Sequence, residues 1–200
     1  MQNFQGHLSG MAFARQVEQR LAEGKIGPSV VPLDHHRKAA VLVPLLEMED
    51  GWHLLFIRRS SEVQDHKGQV AFPGGAVEPQ DEDPIATALR ESQEEVGLDP
   101  KTVRILGLMP ARNTITHYHI TPVVAVISWP FDIHMQASEV SRVFTIPLQW
   151  LAVPEHHSLR DVIRPNGARE PVYFFDEYDG ELLWGITAAI TLEFMDLMKT

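Results

Sequence analysis

Apolar residues fall into short blocks separated by turn-forming residues, and their spacing distinguishes strands from helices. Residues 38–47, dense in Ala, Val and Leu, are expected to form a strand that turns at Glu49-Asp50-Gly51 and returns over 52–58. A shorter strand over 69–72 runs into Pro73-Gly74-Gly75. Further strands are expected over 103–109, 119–128, 142–146, 171–175 and 181–184, the last two joined by a turn at Gly180. Helical spacing marks residues 9–23, a central helix from Asp83-Pro84 to Val96-Gly97, and a C-terminal helix over 185–198. In the central helix Asp83 is a cap, Pro84 suits the first turn and Gly97 ends it. Ile85, Ala88, Leu89 and Val96 share one face there, as Ile186, Ala189, Ile190, Phe194 and Leu197 do in the last helix. Strands before, between and after helices give an α/β (α+β) class, a mixed sheet packed by helices.

Composition narrows the setting. Without an internal repeat or linker, residues 1–200 read as one domain with an N-terminal helical extension over about 1–30. No apolar run approaches the roughly 20 residues that span a bilayer. The first residues lack a basic start followed by an apolar block, so no secretion signal is expected. The absence of cysteine excludes disulfides and thiolate metal sites, and a cytoplasmic protein without membrane attachment is the expectation. A formal net charge of −10 argues against a nucleic-acid partner. It also means that a polyphosphate ligand would need local basic groups or bound cations.

The chemistry concentrates on the central helix. Glu94 and Glu95 lie three and four residues after Glu91, so the three project from neighbouring positions largely opposite the apolar stripe. One reading is a solvated acidic face, with Arg90 relieving repulsion by pairing with Glu94. The other is a metal site. Phe72-Pro73-Gly74-Gly75 ends a strand in a turn whose glycines let backbone approach a ligand, and carbonyls beside carboxylates suit Mg²⁺ or Mn²⁺. Such an ion would offset the acidic field and support attack of water at phosphorus.

The string from Gly75 to Leu98, with Arg90-Glu91-Ser92-Gln93-Glu94-Glu95-Val96-Gly97-Leu98, resembles the Nudix box. That motif is a Gly, five residues, a Glu, seven residues, then Arg-Glu-apolar-x-Glu-Glu-x-Gly-apolar. Ser92 fills the apolar slot, and the left half is one residue longer, so Asp81 or Glu82 takes the upstream acidic position according to the end counted from. The resemblance implies a Nudix-type α/β/α sandwich with a mixed central sheet. It also implies an enzyme that hydrolyses a nucleoside diphosphate-linked pyrophosphate. Glu91, Glu94, Glu95 and the Gly75 carbonyl would hold Mg²⁺ or Mn²⁺, and Arg90 would orient the glutamates. The catalytic base would be Glu94 or Glu139, the latter in the loop Gln136-Ala137-Ser138-Glu139.

Upstream, Arg59-Ser60, Gly68 and Phe72-Pro73-Gly74-Gly75 are similar in spacing to the coenzyme A pyrophosphatase branch, and the ending Leu183-Trp184-Gly185-Ile186-Thr187-Ala188-Ala189-Ile190 also resembles it. Gln64 stands where that branch has a second Arg. The resemblance implies a CoA-like small-molecule nucleotide substrate, cleaved to 3′,5′-ADP and 4′-phosphopantetheine, and a homodimer. Arg59, Ser60, Lys67 and His66 are the candidate substrate contacts, with His119 a further one. ADP-ribose, dinucleoside polyphosphates or another nucleotide are the alternatives, and a non-catalytic nucleotide sensor is the third. None of the ten histidines has zinc-hydrolase spacing, so they are expected as polar surface, with His35-His36 and His156-His157 in loops. Trp150, Tyr173, Phe174, Phe175 and Trp184 are expected in the core or a dimer interface.

Overall fold

The structure is a computed structural model that describes residues 10–24, 30–63, 66–164 and 167–199. Gln64 and most of the expected extension outside its helix lie outside the described residues. In chain order the elements are α1 (Gly10–Ala22), β1 (Arg37–Met48), β2 (Gly51–Arg59), β3 (Val70–Ala71), β4 (Gly74–Ala76) and α2 (Pro84–Val96). There follow β5 (Val103–Leu108), β6 (Arg112–Asn113), β7 (Tyr118–Ile127), β8 (Val140–Pro147) and α3 (Leu148–Leu151). β9 (His157–Ile163), β10 (Arg169–Phe175) and α4 (Gly185–Lys199) complete the order.

β1 organises the main sheet. Its length pairs in parallel with β7, from Arg37↔Tyr118 to Leu45↔Val126, and its far end makes an antiparallel hairpin with β2. Side chains alternate between the faces, as the pleat requires. Val43, Leu45, Leu54, Phe56 and Val124 enter one core with residues of α1, α3 and α4. Leu42, Leu46, Leu55, Ile57, Val123 and Ala125 enter a second with Ala88 and Val96 of α2. A sheet covered on both faces explains why the strands read as continuous apolar runs. The result is a mixed α+β sandwich, α2 on one side and the other helices opposite.

The β1–β2 hairpin holds together only from Leu45↔Leu54 to Met48↔Gly51, and then the strands part. The segment 70–76 fills the gap. β3 pairs with β2 at Ile57↔Ala71, β4 pairs with β1 at Ala40↔Gly75, and Leu42 N–H donates to Pro73 O at 2.8 Å. The glycine turn is therefore held by backbone bonds to two diverging strands.

The structure corrects several expectations. Residues 181–184 make isolated bridges only, Tyr178↔Glu181 and Phe174↔Trp184, rather than a strand. β9 occupies sequence expected as loop, including His157, and pairs with β10 as a separate ribbon. Most of β9 is exposed, so no buried face imposes an apolar period on it. His53 and His119 are buried rather than on the surface. His53 bonds to Thr145 and Asp50, and His119 Nδ1 lies 2.7 Å from Asn113 Oδ1. Among the described residues no helix is long and apolar enough to cross a membrane.

Candidate active site

α2 begins where Asp83 accepts the Ala86 N–H at 2.8 Å, and it ends at Gly97, whose left-handed φ of 77° lets its N–H reach back into the last turn. Between these caps Ala88, Ser92, Glu95 and Val96 form the buried face. Ser92 is satisfied within the helix, donating to Ala88 O at 2.7 Å. Glu95 thus lies on the packed side and not opposite the apolar stripe. It is only 1% exposed, accepts the Gly74 N–H at 2.9 Å, and has Arg59 Nη1 3.5 Å from its other oxygen. Those partners make burial of a carboxylate tolerable, yet burial still pushes its pKa up to about 8.

Arg90 fastens the preceding loop to the helix. Its Nε and Nη2 each donate to Asp81 at 3.0 Å, Nη2 also reaches Ala76 O at 3.1 Å, and Nη1 lies 3.0 Å from Glu91 and 3.2 Å from Glu94. Asp81 accepts further from Glu78 N–H and Thr87 Oγ1, while Glu82 is exposed. Asp81 is therefore the upstream acid that the helix uses. The paired guanidinium lowers its pKa to about 2. Because this is below the ordinary 3.8, its contribution to stability is full above about pH 4 and lost as pH falls through 2. Asp81→Ala is expected to destabilise the fold by about 2–3 kcal/mol at pH 7, Arg90 keeping its other partners. Urea unfolding at pH 7 and pH 2 checks this: the gap between variant and wild type should shrink at the lower pH.

A cavity of about 400 Å³ opens where the glycine turn meets α2. Glu91, Glu95 and Glu139 face it, with Arg59, His66 and Gly75. The 132–139 loop hangs from the end of α2, as Gln136 N–H donates to Glu95 O at 3.1 Å and His134 N–H to Val96 O at 3.0 Å. Its far end meets β2 through Ser60 N–H donating to Glu139 O at 2.7 Å. The opposite wall is mostly apolar: Val41, Phe72, Ile120, Ile186 and Ile190, with Thr114, Thr116 and Tyr118 at one side.

The NUDIX domain model matches residues 35–182, a span that contains the helix, the glycine turn and the Glu139 loop. The chain belongs to the Nudix family. It is 40% identical over 167 residues to "Uncharacterized Nudix hydrolase NudL" of Pectobacterium atrosepticum, covering 83% of this chain and 85% of that one. The Escherichia coli protein of the same name (strain SMS-3-5) is 42% identical over 162 residues, 80% of this chain and 81% of its own. A MutT/nudix family protein from Enterococcus faecalis shares the fold, with a TM-score of 0.50 at 14% identity, over 94% of this chain and 73% of that one. The chain is a Nudix hydrolase, an enzyme of pyrophosphate-containing substrates.

Within the Nudix box the structure gathers Glu91, Glu95 and Gly75 at the cavity, together with Glu139 from outside it. Glu94 stands apart, its side chain 52% exposed and turned to Arg90. Arg59 faces the cavity while its neighbour Arg58 turns away to Glu181 and Ser141, as alternation along β2 dictates. Ser60 is buried and accepts the Glu62 N–H, Lys67 is exposed and, though next to His66 in sequence, outside the lining, and His119 is bonded to Asn113, also outside the lining. The wall residues Thr114, Thr116 and Tyr118 had no sequence signal, because the β6–β7 turn that brings them in is a tertiary feature.

Nudix hydrolases use divalent metal ions, and the donor set here fits a hard one. Burial raises Glu91 as well as Glu95, and each is raised further by Glu139. Carboxylates that oppose one another's ionisation form a field in want of a cation. Gly75 completes the fit, since a Cβ there would lie 2.5 Å from the Glu91 carboxylate and occupy the space between that group and the turn.

Proposed function

We propose that this hydrolase cleaves the pyrophosphate of coenzyme A or an acyl derivative, giving 3′,5′-ADP and 4′-phosphopantetheine or its acyl form. One observation carries the reading: the two segments resembling the CoA branch, 59–75 and 183–190, are far apart in sequence yet line one cavity, through Arg59 and Phe72 on one side and Ile186 and Thr187 on the other. Arg59 Nε is shielded from solvent and without a hydrogen-bond partner, as suits a guanidinium awaiting a phosphate oxygen. The apolar wall suits the less charged pantetheine half.

Glu91, Glu95 and the Gly75 carbonyl would hold Mg²⁺ or Mn²⁺, joined by Glu94 if it leaves Arg90. When bound, the ion supplies charge neutralisation on phosphate oxygens and a more acidic water. Glu139 faces the same space and takes the proton of the attacking water as base. Arg90 is a positioning residue that fixes Glu91 and the turn. Arg59 binds phosphate, and His66 contacts the substrate at the mouth, where Lys67 adds positive charge.

Turnover of CoA, ADP-ribose and diadenosine polyphosphates, measured in parallel with each metal, tests the substrate. Release of 3′,5′-ADP from CoA is expected to exceed cleavage of the others by about tenfold or more in kcat/KM, the discrimination that one or two specific contacts supply. Faster cleavage of ADP-ribose or a dinucleotide would replace CoA as the substrate and keep the enzyme class. Nucleotide binding without turnover under either metal would overturn catalysis itself.

A further inference from the structure

The parallel pairing that begins at Arg37↔Tyr118 docks two turns against each other, one before β1 and one before β7. The first closes with His36 N–H donating to Leu33 O at 2.9 Å, the second with His117 N–H donating to Thr114 O at 3.2 Å. Arg37 N–H joins them by donating to His117 O at 2.8 Å. Three imidazoles meet as a result. Ring centroids are 4.8 Å apart for His35 and His36, 5.1 Å for His35 and His117, and 5.7 Å for His36 and His117. One ligating nitrogen of each ring lies within 4.8 Å of the others, and no other set of three metal-ligating side chains among the described residues is gathered in this way.

Two details point to a ligand. His36 Nδ1 is shielded from solvent and has no hydrogen-bond partner, an uncommon state for a ring nitrogen. His117 holds a left-handed φ of 63° in a turn that is bonded on both sides, which fixes where its side chain starts beside the other two. We propose that His35, His36 and His117 form a second metal site, distinct from the carboxylate site, for one borderline divalent ion of the Zn²⁺ class.

Imidazole prefers Zn²⁺, Ni²⁺ or Cu²⁺, whereas the glutamates prefer Mg²⁺ or Mn²⁺, so the two sites select different ions. Zinc–nitrogen bonds of about 2.0–2.1 Å at tetrahedral angles place the nitrogens about 3.3 Å apart. The rings must close by about 1.5 Å at most to reach that geometry. His35 and His117 are exposed and free to turn toward the half-buried His36. Three protein ligands leave the fourth position to water. The site adjoins the cavity, because Thr114, Thr116 and Tyr118 on the His117 turn line its wall. An ion held there pins that wall.

Calorimetric titration of the chelator-treated full chain with Zn²⁺, in excess Mg²⁺ so that the carboxylates are occupied, tests the site. Wild type is expected to bind one equivalent, and His117→Asn, which tolerates the left-handed turn, to bind roughly tenfold or more weaker. His35→Asn changes an exposed side chain, is expected to leave the fold intact, and is expected to weaken binding similarly. Co²⁺ in place of Zn²⁺ should give visible absorption that both variants lose. Equal Zn²⁺ affinity in wild type and both variants, or binding that disappears in Glu91→Gln and survives in the histidine variants, would overturn the proposal.

Discussion

Replacing Glu95 with Gln is expected to lower kcat by about 10³-fold, the loss typical of removing one preorganised electrostatic partner of the transition state. The same change should leave the metal-free fold intact and, at alkaline pH, more stable. The reason is the burial of Glu95 in the wild type. Its pKa stands at about 8 in the fold against an ordinary 4.5, so between those values the folded chain keeps a proton that the unfolded chain has released. Metal-free wild type therefore loses stability as pH rises through that window. Gln is close in shape to the protonated acid and escapes the loss. On the proposed metal role a divalent ion is expected to reverse the order, because Glu95 can release a proton to bind it and the amide of Glu95→Gln cannot. Thermal unfolding at pH 5 and pH 9, with chelator and with Mg²⁺, separates the cases. If Mg²⁺ stabilised both proteins equally, or the variant turned over at wild-type rate, Glu95 would not be a ligand.

The second large effect sets two adjacent glycines against each other. An alanine Cβ at Gly74 would run into the Ala40 carbonyl and lie 2.6 Å from Val41 Cα, at a φ of 152° that L-residues rarely adopt. Both obstacles are β1 backbone and cannot yield. Gly74→Ala is expected to destabilise the protein by at least about 3 kcal/mol, strain and overpacking together. At Gly75 the three atoms nearest the same methyl are all of the Glu91 carboxyl group, the end of a side chain. That group can swing aside, so Gly75→Ala should fold with nearly unchanged Tm. It should lose activity about 10²-fold, the scale of an ångström's misplacement of a reacting group. Equilibrium unfolding and steady-state turnover of both variants give the comparison. Loss of stability at Gly75, or none at Gly74, would refute this account of the turn.

The strands were legible where both faces of the sheet are covered, because continuous apolar runs such as 38–47 and 119–128 have no other use. β9 was not legible, since residues such as Leu159 and Ile163 stay exposed and no burial pattern marks them. The helix was legible from its caps, yet the face that carries Glu95 was not. Sequence spacing places Glu91, Glu94 and Glu95 together, while the choice between solvent and interior rests on Gly74 and Arg59, partners supplied by a different strand and turn. Asp81 prevailed over Glu82 for a similar reason: only its carboxylate meets Arg90, Thr87 and the Glu78 N–H together. The paired histidines look like loop surface in the sequence because His117 is about eighty positions away in the chain, and the parallel register unites them.

The suspension of the 132–139 loop from the carbonyls of Glu95 and Val96 has an evolutionary corollary. Glu95, which lends one carboxylate to the cavity, also carries on its backbone the loop that lends Glu139, while Glu91 stands on the same helix. Any drift of α2 therefore displaces all three acids in concert and preserves their spacing. The wall contributed by α4 is tied elsewhere, Thr187 Oγ1 donating to Val70 O of β3 at 3.3 Å. On the proposed reading, substrate preference diversifies by substitution at Ile186, Thr187 and Ile190, which line the cavity, while its charged half is inherited as a unit.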